Sequence, residues 1–330
     1  MRRREFIALL TSTAMLRVLR PPVAQAQQSM PAIGFLSAAA PGEGYARPMA
    51  AFLKGLGDAG FVDGRNLTIA YRWADGHLDR LPAFAADLVT HQVKVIVATS
   101  TPATLAAKTA TTTIPIVFET AVDPVEIGIV PSLNRPGGNL TGVTQMSVGI
   151  VAKDLEILHE LVPSAHTVAL LVNPANRDLS EPETREIRSA AQTLGLEVAV
   201  LNASSEGDFE AVFAKAAQLH AGGLVIGADS LFTQRNSQLA ALALRHALPA
   251  VYKGREFAAA GGLLSYGLDI TKTFYVAGTY AGRILKGDKA AELPVQQPTD
   301  IEMFLNLKSA KALGINVPLP LLGRADEIFE

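Results

Sequence analysis

Six points along the chain place short polar residues where an apolar run gives way to the next segment. They are Ser37 before Ala38-Ala39-Ala40-Pro41, then Thr99-Ser100-Thr101-Pro102, then Glu119-Thr120-Ala121-Val122-Asp123-Pro124. Further on come Asn173-Pro174-Ala175-Asn176, Ala228-Asp229-Ser230 and Ser265-Tyr266-Gly267. In an open α/β sheet, ligands sit beyond the carboxyl ends of the strands, beside helix N-termini, so these are the positions where chemistry belongs. Thr99, Ser100 and Thr101 offer three hydroxyls at a helix start; with free N–H groups and a favourable dipole they suit a carboxylate. The same segment equally suits a plain N-cap by Ser100 or Thr101. Asp123 and Asp229 are each able to hold an ammonium group. Asp before Pro is also an ordinary turn or cap pair, and for Asp123 alone that simpler reading weighs more. Tyr266 either packs on a ligand or closes the core. Together the six points give short polar groups and a few carboxylates, with no cluster of catalytic type.

The signatures of enzymes and of cofactor sites are missing from the sequence. There is no Gly-x-Gly-x-x-Gly and no Walker loop, so phosphate cradling has no motif. The segment around Ser265 resembles a nucleophile elbow only loosely, because Leu263 stands where the leading glycine belongs. The 6 histidines show no metal-ligand spacing, and the count of cysteines is 0, which removes disulfides, thiolate nucleophiles and cysteine-bound metal. No catalytic residue, metal ligand or cofactor is expected. With 29 basic and 31 acidic residues well interspersed, the chain also lacks the electrostatic footprint of a nucleic-acid binder.

The elements that must position these residues alternate. Apolar runs at 31–36, 66–72, 93–98 and 114–119 read as strands, separated by helical patterns at 46–60, 78–91 and 102–109. Asn134-Arg135-Pro136-Gly137-Gly138-Asn139 is a strong turn cluster, followed by a short extended piece at 140–144. The rhythm then restarts: helices over 151–161, 183–194, 208–220 and 233–246 alternate with strands at 167–172, 196–201, 223–227 and 249–252. This predicts an α/β fold of two doubly wound parallel-sheet lobes, with one continuous sheet as the alternative. At 330 residues, 49% hydrophobic, the chain is long enough for two cores.

The first residues read as an address. Arg2-Arg3-Arg4 is basic, 6–16 is a short apolar stretch, and Ala24-Gln25-Ala26 offers small-x-small cleavage, predicting a signal peptide over 1–26. Arg3-Arg4-Glu5-Phe6-Ile7 is similar to a twin-arginine signal, and the sequence leaves the choice of export route open. A merely amphipathic leader is the competing reading. Without cysteine there is no lipoprotein anchor.

Several segments together resemble one family. They include Ile33-Gly34-Phe35-Leu36-Ser37, Gly64-Arg65-Asn66 with Tyr71-Arg72-Trp73, and Arg80-Leu81-Pro82. The match continues through Thr113-Ile114-Pro115-Ile116-Val117-Phe118, Asp123-Pro124, 133–143, Ser265-Tyr266-Gly267 and 280–286. Almost the whole chain is similar to the ABC-transporter substrate-binding proteins of the tryptophan/tyrosine type. That resemblance implies a type I periplasmic-binding fold, with a hinge of crossing strands and a ligand sealed between the lobes. It implies one lobe over 27–145 plus about 268–292, and another over 146–267 plus about 293–330. Thr99, Ser100 and Thr101 would grip a ligand carboxylate, and Asp123 or Asp229 its amino group. Asn173 and Tyr266 would close from the second lobe, with Ser37 and Thr120 completing the ligand-binding set. The expected ligand is a small molecule, most naturally an amino acid with an aromatic or hydrophobic side chain. Expected partners are a permease in the inner membrane and its ATPase, with the protein itself a monomer in the periplasm. An exported α/β enzyme and a ligand sensor for a membrane receptor are the competing functions.

Overall fold

Runs of β-branched and apolar residues set the architecture. In the computed structural model, which describes residues 30–330, Val95–Thr99 is buried along its whole length, as a strand covered on both faces must be. The expected leader over 1–26 lies outside the described residues.

A first sheet is built from β1 (Ala32–Ser37), β2 (Thr68–Trp73), β3 (Val95–Thr99), β4 (Ile116–Thr120) and β5 (Leu140–Thr144). All its pairings are parallel, in the order β2-β1-β3-β4-β5. Helices α1 (Glu43–Asp58), α2 (Leu81–Thr90) and α3 (Thr101–Ala110) connect the strands. The short extended piece after the turn cluster is thus a full edge strand.

The second sheet takes β6 (Thr167–Val172), β7 (Glu197–Asn202), β8 (Gly223–Ile226), β9 (Ala250–Tyr252), β10 (Leu264–Leu268), β11 (Ile301–Asn306) and β12 (Glu327–Phe329). Its order is β12-β11-β10-β9-β8-β6-β7. Its pairings are parallel except for β10 with β11, so this sheet is mixed near one edge. Its helices are α4 (Ile150–Leu161), α5 (Arg177–Leu194), α6 (Phe209–Gln218), α7 (Ser230–Gln234), α8 (Asn236–Arg245) and α9 (Arg255–Ala259). Then come α10 (Ile270–Leu285), α11 (Leu307–Ala312) and α12 (Leu319–Leu322).

Two local readings need correction. Ser265, Tyr266 and Gly267 were expected at a loop tip, but they lie inside β10, where Tyr266 pairs with Met303 of β11. Helix α5 begins at Arg177, six residues before the expected start at 183, and carries Pro182 within it. The hydrogen bond lost at Pro182 is outweighed by the apolar face of α5, with Leu179, Ile187 and Ala191 buried.

The helix α10 follows β10 of the second sheet yet packs on the first. Phe274, Ala277, Ala281 and Ile284 join Ile33, Phe35, Val95 and Val117 in one core. Glycines allow its close approach to α1: a Cβ on Gly278 would stand 2.1 Å from the Phe52 carbonyl oxygen. The chain passes between the two sheets at 145–149, 268–270 and 297–300.

Candidate functional site

Between the carboxyl ends of the two sheets lies a cavity holding about 740 Å³ of space unfilled by protein, open solvent included. From the first sheet it is walled by Tyr45, Ser100, Thr101, Glu119 and Gln145. From the second come Asn176, Asp229, Ser230, Tyr252 and Lys253, with Leu179 and Ile270 adding apolar surface.

The turn from β3 into α3 is held tightly. Ser100 adopts φ 106, a left-handed value unfavourable for a residue with a Cβ. It is fixed there by its N–H, which donates to the Glu119 carbonyl at 2.9 Å, and by its hydroxyl, which accepts from Ala103 N–H at 3.4 Å. The Thr101 hydroxyl is tied to the Thr120 hydroxyl at 2.6 Å. Ser100 is thus the N-cap of α3, a ten-residue helix, and together with Thr101 it lines the cavity.

Glu119 is the penultimate residue of β4 and is buried, with Gln145 Nε2 donating to its Oε1 at 2.7 Å. Burial pushes its carboxyl up to about 7. Across the cavity Asp229 is also raised by burial, against three donors. Asn173 Nδ2 donates to its Oδ1 at 3.1 Å, Asn176 Nδ2 to its Oδ2 at 2.9 Å, and Leu231 N–H to Oδ1 at 2.9 Å. Lys253 reaches back to Glu183 Oε1 at 3.2 Å, and Glu183 also accepts from Ala228 N–H at 2.9 Å. Burial raises the Tyr45 hydroxyl, with Ser230 beside it as the largest opposing influence, and Glu119 and Asp229 both act on it.

Of the residues singled out from the sequence, Ser100, Thr101 and Asp229 line this cavity. Asn173 stands behind Asp229 as its donor. Thr99 ends β3 with a buried hydroxyl that lacks a partner, and Thr120 lies beside Thr101. The Ser37 hydroxyl accepts from Ala39 N–H at 3.2 Å, a local turn contact. Asp123 caps a turn, its Oδ1 accepting from Val125 N–H at 2.8 Å and Glu126 N–H at 3.3 Å, away from the cavity wall. Tyr266 packs against the core of the second sheet. Glu119 and Asn176 fall within the strand-end segments read from the sequence but carried no role of their own there, and Tyr45, Tyr252 and Lys253 were not singled out. Lys253 follows the end of β9, the same topological place as the other tips, and that signal was available.

A model of the ABC transporter substrate binding protein family matches residues 40–329. The chain belongs to this family. The tyrosine-binding protein of Clostridioides difficile (strain R20291) is 28% identical over 263 residues, covering 79% of this chain and 75% of that protein. The structure of a conserved domain protein from Vibrio cholerae has TM-score 0.82 at 23% identity, covering 91% of this chain and 100% of that one. The ABC domain in complex with L-Trp from Streptococcus pneumonia has TM-score 0.80 at 22% identity, with the same coverages. A periplasmic binding protein/LacI-type regulator from Alkaliphilus metalliredigens shares the fold at TM-score 0.57, 10% identity, covering 83% of this chain and 97% of that one. The fold of this family member is the type I periplasmic-binding fold. No helix among the described residues is long and apolar enough to cross a membrane.

Proposed function

We propose that this substrate-binding protein captures an amino acid in the cavity between its two sheets and presents it to an ABC importer. The observation that carries this reading is that Glu119 and Asp229, carboxylates from opposite sheets, face one cavity with the first turn of α3. Carboxylates suit an α-ammonium group, and a helix N-terminus suits an α-carboxylate. The relatives named for tyrosine binding and crystallised with L-Trp support the class of ligand.

The two sheets act as lobes that hinge at 145–149, 268–270 and 297–300. Ligand contacts both faces, so it stabilises the closed form by its differential affinity. The present arrangement is the closed one. Ala40 N–H donates to Gln234 Oε1 at 2.8 Å across the gap, and Arg47 pairs with Glu256. Export by the leader over 1–26 delivers the protein to the periplasm, where it works as a monomer with a permease and ATPase. The ligand is released unchanged.

Thermal unfolding with a panel of amino acids tests the reading. A ligand that binds only the folded protein raises the transition by mass action, by about 2.7 kcal/mol at a hundredfold excess over Kd. A panel of all common amino acids that leaves the transition unmoved would overturn it.

A further inference from the structure

We propose that the amino acid taken by this cavity carries a basic group in its side chain in addition to its α-ammonium group, so that cationic amino acids bind in preference to neutral aromatic ones. This deepens the cavity reading above and rests on it.

The inference comes from pairing the charges on the wall. Lys253 lines the cavity but is already committed to Glu183, their side chains being 12% and 1% exposed. Glu256 at the rim is committed to Arg47. Glu119 and Asp229 remain, and among the described residues neither has a cationic partner. Glu119 receives the neutral amide of Gln145; Asp229 receives the amides of Asn173 and Asn176 and a backbone N–H. Both line the same cavity as Tyr45.

The wall thus presents a buried carboxylate, Glu119, and a half-buried one, Asp229, and among the described residues neither has a counter-charge.

A zwitterion with a neutral side chain brings one cation to two carboxylates. It leaves the other carboxylate buried without a counter-charge, or protonated, and either is costly. An ammonium or guanidinium on the side chain supplies the second cation, while the rings of Tyr45 and Tyr252 can face a cation favourably. The ligand carboxylate remains for the first turn of α3. The elevated carboxyl of Glu119 fits a group that waits for a cation.

Isothermal titration of the purified protein with L-arginine, L-lysine, L-tyrosine and L-tryptophan decides the matter, repeated with Glu119→Gln. This variant keeps the size of the side chain and an acceptor for Gln145. The expected result is that a basic amino acid binds roughly tenfold or more tightly than either aromatic one, and that E119Q removes this margin by weakening the basic ligand. Tighter binding of tyrosine or tryptophan to the unaltered protein overturns the inference and leaves the cavity reading standing. So does an undiminished affinity of a folded E119Q for the basic ligand. Absence of binding by every amino acid overturns both.

Discussion

Gly44 in α1 and Thr233 in α7 approach so closely across the cavity mouth that a Cβ on Gly44 would stand 2.3 Å from the Thr233 carbonyl oxygen. That carbonyl is backbone and has no rotamer to give way. Gly44→Ala should therefore hold the lobes apart while favouring α1 itself, since alanine is the better helix former by about 1 kcal/mol. The expected outcome is ligand affinity lowered roughly tenfold or more, with the melting temperature of the free protein unchanged or slightly raised. Titration calorimetry and small-angle scattering check it. An unchanged affinity with unchanged closure would mean that the two helices do not separate.

Asp229 and Asp123 were equivalent candidates as residue types, and their surroundings now separate them. Asp229 faces the cavity among three donors, whereas Asp123 spends its Oδ1 on two backbone N–H groups of its own turn. Asp229→Asn should cost roughly tenfold to a hundredfold in ligand affinity through loss of a charge-assisted contact. Asp123→Ala should leave affinity as it is and lower stability by about 1 kcal/mol, the usual worth of a cap. Equal effects of both on binding would reverse this assignment.

How far the sequence reached follows from what kind of interaction each feature needs. Thr167–Val172 is read to the residue because a run of buried β-branched and aliphatic side chains is a local signal. Ser100 and Asp229 were found because strand-end position is also local. Lys253 offered the same strand-end signal after β9 and was passed over, whereas its pairing with Glu183, seventy positions earlier, has no local sign. Tyr45 on the first helix looks like any core aromatic, and nothing nearby in sequence announces Ser230 or Glu119 around its hydroxyl. Tyr266 was misplaced for the converse reason: the antiparallel partner that makes Leu264–Leu268 a strand is β11, far along the chain.

The Lys253–Glu183 pair makes a stability prediction distinct from the site. Glu183 is raised by burial, against Lys253 and the Ala228 N–H, and is almost wholly enclosed. Lys253→Met strands that carboxylate and should destabilise the protein by about 3 to 5 kcal/mol. Lys253→Met with Glu183→Gln should recover part of the loss, because the Glu183 charge is removed together with its partner, while the buried Asp154 carboxyl still loses the neighbouring Lys253. Chemical denaturation of the two variants measures this. A double variant no more stable than the single one would show that the pair does not interact as drawn.

Glu119 gives a pH dependence of determined sign. Its carboxyl is raised from an ordinary 4.5 to about 7 by burial, so the folded chain holds that proton more firmly than the unfolded one. The resulting stability is complete below pH 4.5 and is lost as pH rises through 7, a change of roughly 3 kcal/mol at 1.4 kcal/mol per unit. Asp229 and Glu183 are raised in the same direction and add to the same slope. Binding of a cationic ligand runs oppositely, because it requires the ionised carboxylate. Its Kd should fall roughly tenfold from pH 6 to pH 8 and level off above that. In Glu119→Gln the Kd should be flat across this range, and the decline of stability with pH shallower. Calorimetric titrations at pH 6, 7 and 8 on both proteins check the slope; a wild-type Kd that does not move, or that rises with pH, would mean that Glu119 does not meet the ligand as an anion.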